Sequence, residues 1–199
     1  NVSGLTSSPE FTTNGMLLDD DAIDFINKEM YNVVLSIDGR KEVNDRMRVR
    51  ADGTGSYDRI VRNFKKLVEK RGDKEWYVRG TYTKYNLDFS EDVFHLYEQG
   101  FDQISVEPVV EDPKVEYAIT EEDLDRICEE YDKLADRLME LKKNGGFLNF
   151  FHFMIDLEQG PCVIKRLRGC GSGNEYVSIT PDGDIYPCHQ FVGQEEYCM

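Results

Sequence analysis

Apolar positions along this chain fall into short unbroken runs separated by longer stripes of helical spacing. Val33-Val34-Leu35-Ser36-Ile37 is a near-continuous apolar run, which predicts a strand buried on both faces, as in a parallel sheet. Trp76 to Thr83 and Gln103 to Glu107 predict two more strands, the latter halted by Pro108. Between them lie helical stripes. Ala22, Ile23, Ile26 and Met30 follow an acidic start at Asp19-Asp20-Asp21. Tyr57, Ile60, Val61, Phe64, Leu67 and Val68 follow Ser56 as a cap, and Gly72 is their stop signal. Val93, Phe94, Leu96 and Tyr97 follow Ser90 as a cap and end at Gly100. Leu124, Ile127, Tyr131, Leu134, Leu138 and Leu141 follow a Thr120–Asp123 capping box and end at Gly145-Gly146.

Thr12-Thr13-Asn14-Gly15 reads as a strand end and tight turn, and Phe147 to Phe153 as a further strand or packed connection. Arg40 to Gly55 reads as a long polar loop, a length that suits a functional segment. The alternation of strands and helices predicts an α/β chain with right-handed crossovers and a parallel sheet, a partial (β/α) barrel. Three clear strands are too few to close a barrel, so the expectation is a piece of a longer protein whose exposed edges pair in a homodimer. Residues 1–11 lack periodicity and are expected to be a tag or frayed tail, 12–155 the barrel part, and 156–199 a second, smaller part. In that last part Tyr176 to Thr180, the Pro181-Asp182-Gly183-Asp184 turn, and Ile185-Tyr186 predict a hairpin.

The 199 residues carry 24 basic and 39 acidic side chains, a net charge of −15. That balance argues against a nucleic-acid partner, whose phosphates need basic surface. No apolar run reaches the roughly 18–20 residues of a membrane span. With no signal peptide in view, the expected location is cytoplasmic, where cysteines serve more often as metal ligands or core residues than as disulfides.

Candidate chemistry sits in two places. Barrel enzymes build their sites at the carboxyl ends of the strands. Here those ends offer Asn14, Ser36 with Asp38, Tyr82 with Thr83, and Glu107, which otherwise read as turn and cap residues. Arg46 and Arg48, in the long polar segment, could hold a carboxylate or phosphate, and with Glu107 they leave open a sugar- or phosphate-handling barrel. The second place is the hairpin, which can bring Cys170 and Cys188 together, with Cys162 eight residues before Cys170. Three thiols suggest an iron–sulfur or other soft-metal site, or zinc with His189 as fourth ligand. Cys128 lies on a helical stripe and is expected in the core, and His95 and His152 are expected to be packed or hydrogen-bonded rather than catalytic.

Ser36-Ile-Asp-Gly-Arg-Lys-Glu-Val-Asn-Asp45-Arg-Met-Arg48 resembles the fourth-strand segment of radical S-adenosylmethionine enzymes with SPASM-type extensions. Cys170-x12-Gly183-x4-Cys188 resembles the first part of the SPASM motif. Arg79-Gly-Thr-Tyr-Thr-Lys-Tyr-Asn-Leu-Asp-Phe, Ile104-Ser-Val-Glu-Pro-Val-Val and Tyr186-Pro-Cys-His-Gln-Phe-Val-Gly are similar to the maturases of SCIFF (six-cysteine) peptides. The resemblance implies a radical-SAM-type barrel with the start of a SPASM-type hairpin extension. It implies a maturase that uses S-adenosylmethionine and [4Fe–4S] clusters to install cysteine thioether crosslinks in a ribosomally made precursor peptide. It implies that Asn14, Ser36, Asp38, Arg48 and Glu107 line the cofactor or peptide pocket and that Cys162, Cys170 and Cys188 hold an auxiliary cluster. The family's C-x3-C-x2-C pattern does not occur in these 199 residues, so this piece by itself is expected to be inactive. The alternative is a zinc- or iron–sulfur-stabilised peptide-binding module without catalysis.

Overall fold

The structure, a computed structural model, describes residues 9–154, 171–173 and 175–199. The chain divides into two units, Asn1–Met154 and Ile155–Met199. The first is built on a five-stranded sheet in the order β1 (Glu10–Thr13), β2 (Asn32–Ser36), β3 (Glu75–Tyr82), β4 (Gln103–Pro108) and β5 (Asn149–Phe150). Every pair is parallel, so all carboxyl ends lie along one edge. Helices α1 (Asp20–Glu29), α2 (Lys41–Met47), α3 (Tyr57–Glu69), α4 (Phe89–Glu98) and α5 (Leu124–Lys143) fill the connections.

Register divides the sheet into two unlike faces, because side chains alternate along each strand. One face carries Val33, Leu35, Val78, Ile104, Val106 and Phe150, all buried in one hydrophobic cluster with Ile23 and Ile26 of α1, Ile60, Phe64 and Leu67 of α3, and Leu96 of α4. Burial of each such side chain contributes about 1.5–3 kcal/mol. The opposite face places Ser36, Arg79 and Ser105 in one row, with Thr81 and Glu107 in the next toward the carboxyl ends. A polar row on a parallel sheet has to face a lumen or a ligand, since parallel sheets are otherwise covered on both sides.

Several expectations are corrected. The strand at Thr12 begins earlier: Glu10 and Phe11, set aside with the tail, pair with Asn32 and Val33. The stretch Arg40 to Gly55 holds helix α2, whose only aliphatic residue, Val43, gives no periodic signal. Ser56 makes no side-chain cap; Oδ1 of Asp45 accepts from the Ser56 and Tyr57 amides at 2.8 Å each and caps α3 from outside. Ser90 does not cap α4, which starts at Phe89; it is buried and donates to the Glu130 carboxylate of α5. Cys128 is exposed, because the buried face of α5 is Ile127, Glu130 and Leu134, one position away.

In the second unit β6 (Ser178–Ile179) and β7 (Ile185–Tyr186) form the expected antiparallel hairpin. Gly183, at φ 95°, takes the left-handed position of its turn and donates to the Thr180 carbonyl at 3.0 Å.

Candidate functional site

The backbone just beyond β2 is held against β3. The Ile37 amide donates to the Arg79 carbonyl at 3.0 Å. A Cβ on Gly80 would come within 2.6 Å of the Ile37 carbonyl oxygen, so glycine is what allows the two backbones to approach. This places Asp38, only 3% exposed, at the carboxyl edge of the sheet. Its Oδ2 accepts from Nε of Arg48 at 2.7 Å, and its Oδ1 from Nη2 of Arg48 at 2.8 Å and from the Thr81 amide at 3.0 Å. Such a bidentate, charge-assisted pair fixes the guanidinium plane. Asp38 is therefore fully engaged within the protein, and Arg48, about a third exposed, is the group it presents.

Beneath the pair, buried Asn44 links the elements: Oδ1 accepts from the Asp38 amide at 3.4 Å and Nδ2 donates to Ser56 Oγ at 3.1 Å. The next turn is fixed from α4. The Arg40 amide and Nε both donate to Oδ1 of buried Asp92 at 2.9 Å, and Asn86 donates to its Oδ2 at 3.0 Å. Burial pushes the Asp92 carboxyl above its ordinary pKa, against the pull of Arg40 and Asn86.

Along the polar face, Nη2 of Arg79 donates to Oε2 of Glu107 at 2.7 Å, and Ser105 Oγ donates to Oε1 at 3.2 Å. The hydrogen bond to Glu107 raises the Arg79 pKa. Ser36 is half-buried beside Arg79. Asn14 is exposed in the turn after β1, one residue past Thr13, which pairs with Leu35. The sheet thus brings Ser36, Arg79, Ser105 and Glu107 into one patch, with Asp38 and Arg48 at its rim and Asn14 on the neighbouring strand end.

Arg79 and Ser105 were not among the sequence candidates. Their signal was the strict alternation Ile104-Ser105-Val106-Glu107, which marks one dry and one wet face. Arg46 is committed elsewhere, its guanidinium 3.3 Å above the centre of the Tyr85 ring, so a phosphate-handling reading loses that residue. His95 and His152 are hydrogen-bonded to Tyr57 (2.6 Å) and Tyr131 (2.9 Å).

Of the three candidate cluster ligands, Cys162 and Cys170 lie outside the described residues. Cys188 is 6% exposed. Its Sγ accepts from the Tyr176 hydroxyl at 3.3 Å and lies 3.6 Å from Nδ1 of His189. The Tyr176 bond, followed by the Gln190 amide, lowers the thiol's pKa and favours the thiolate that a metal requires. Among the described residues no group of three metal-ligating side chains converges.

No protein-family profile matches the chain. It is similar to a cysteine-type anaerobic sulfatase-maturating enzyme of Clostridium novyi, 26% identical over 195 residues, 92% of this chain and 50% of the relative. It is also similar to a serine-type anaerobic sulfatase-maturating enzyme of Bacteroides thetaiotaomicron, 25% identical over 206 residues, 92% of this chain and 48% of the relative. The chain spans about half the length of the curated relatives it matches. Among solved structures, anSMEcpe with bound AdoMet superposes with a TM-score of 0.70 at 19% identity, covering 95% of this chain and 52% of that one. The same protein with bound AdoMet and Kp18Cys peptide gives 0.69 at 20% identity, with coverage of 95% and 52%. Streptococcus suis SuiB bound to S-adenosylmethionine gives 0.60 at 20%, with coverage of 96% and 45%. The chain shares the partial (β/α) fold of these S-adenosylmethionine-bound structures.

Proposed function

We propose that this chain forms part of a radical S-adenosylmethionine maturase that modifies a ribosomally made peptide, installing cysteine thioether crosslinks. The observation that carries the reading is the polar patch at the carboxyl ends of a parallel sheet, with Arg48 oriented by buried Asp38. The donor set suits S-adenosylmethionine. Arg48 keeps Nη1 for a carboxylate, Ser36 offers a hydroxyl, and Glu107 offers a carboxylate near an ammonium or ribose. Asp38 positions Arg48 rather than touching the cofactor. When bound, the cofactor and a reduced [4Fe–4S] cluster supply the radical that abstracts hydrogen from the peptide. Cys162, Cys170 and Cys188 are the proposed ligands of an auxiliary cluster, and the Tyr176 hydrogen bond lowers the pKa of the Cys188 thiol.

Two experiments test this. Calorimetry on this chain should detect S-adenosylmethionine, with affinity falling about tenfold in Arg48→Ala, the loss of one charge-assisted contact; undiminished binding in that variant removes the assignment. In the longer native protein, a cysteine-rich precursor peptide should lose two hydrogens per crosslink by mass spectrometry, and an unchanged peptide mass rejects the thioether reading. The adjacency of Cys188 and His189 favours a second reading, a metal-stabilised peptide-binding module without catalysis. Zinc rather than iron in anaerobically purified protein would select it.

A further inference from the structure

A concave site lies at the end of the strands opposite the polar patch. A cleft of about 580 Å³ is lined by the first residues of four of them, Asn32, Glu75, Gln103 and Asn149, together with Tyr77 and Phe151. Register makes neighbours of Asn32 and Glu75, and of Gln103 and Asn149. Two of its side-chain amides donate to neighbours. Asn149 Nδ2 donates to Gln103 Oε1 at 2.8 Å, and Gln103 Nε2 donates to Asp102 Oδ1 at 3.3 Å. Two buried acceptors are left over. Oδ1 of Asn32, a residue only 9% exposed, and Oδ1 of Asn149 are both buried without a hydrogen-bond partner. An unsatisfied buried carbonyl costs about 1–3 kcal/mol, so a pair at one cleft demands an explanation.

The charges agree with the acceptors. Asp73, Glu75 and Asp102 border the cleft, whereas the bordering Lys74 turns its ammonium to the Asn27 and Lys28 carbonyls of α1 at 2.7 Å each. The wall carries an aromatic pair, Tyr77 and Phe151, with ring centres 4.8 Å apart. Carboxylates, orphan carbonyls and ring faces together match a group that has only donors and a positive charge. These acids are not grouped as a metal site would need among the described residues, which favours an organic cation over a metal ion.

We infer that this cleft binds an organic cation, the guanidinium or ammonium head of a peptide side chain or of a free amine. It is separate from the polar patch and stands independently of the maturase reading. The test is calorimetric titration of the 199-residue chain with N-acetyl-arginine amide and with putrescine. Saturable binding is expected, about five- to tenfold weaker in Asn32→Leu, which leaves the net charge unchanged, and in Glu75→Gln/Asp102→Asn. Asn32→Asp should tighten it, which keeps the test decisive if the leucine variant does not fold. Preference for the arginine amide identifies a peptide side chain; preference for putrescine identifies a free amine. No saturable binding of either probe overturns the inference. So does an equal loss in Glu121→Gln/Glu122→Gln, a control that removes the same charge from exposed positions, since that is the behaviour of a merely acidic surface. S-adenosylmethionine affinity, measured in the same variants, reports on the polar patch separately.

Discussion

The side chain that organises the candidate site binds protein rather than ligand. Asp38 has both carboxylate oxygens committed, to Arg48 and to the Thr81 amide. Removing it strands a guanidinium and a backbone amide, so Asp38→Ala should lower stability by about 2–4 kcal/mol. Urea unfolding measures that loss, and Asp38→Asn, which keeps an acceptor for Thr81, should lose less. At this scale the sequence was legible in kind but not in role. Polar residues after apolar strands marked Ser36, Asp38 and Glu107 as the right neighbourhood. That Asp38 faces inward to Arg48 depends on Gly80, forty-two positions away, and no local pattern carries so distant a contact. Arg79 and Ser105 were legible through their alternation and were hidden by reading the strands as apolar runs.

Elements were easiest to read where packing sets them. The stripes of α1 and α3 fell on the residues that are buried, because 3.6-residue spacing and burial on one face are the same geometry. Helix starts were harder, since a cap can come from elsewhere in the chain. Asp45 closes the start of α3 from a position eleven residues before Ser56. Asp45→Ala should cost about 1–2 kcal/mol, the range for loss of an N-terminal cap, read from chemical denaturation. The turn before α5 makes a pH prediction. The Thr120 amide holds the Asp123 carboxyl below the usual carboxylate range, with help from the Thr120 hydroxyl and Lys84. A depressed folded pKa gives stabilisation that is present above the unfolded value of about 4 and is lost as pH falls through the folded one. Wild type should therefore lose more stability than Asp123→Asn between pH 5 and pH 2, and parallel stability curves for the two would refute the assignment.

For the molecule as a whole, β1 and β5 end the sheet among the described residues. We propose that these edges pair in a homodimer; sedimentation equilibrium should show dimer growing with concentration, and a monomer throughout excludes it. The α/β class and parallel arrangement followed from the order of elements alone, because crossovers permit few alternatives. The cation cleft was not legible, since it is assembled from the first residues of four strands that lie far apart in sequence. The strands also stand side by side in the order of synthesis, one through five, without a crossover that skips a neighbour. Each arriving segment therefore finds its docking template already laid down by the one before it. Growth from the amino terminus on the ribosome is then a zipper of nearest-neighbour additions, and the loop-closure entropy of each step stays small.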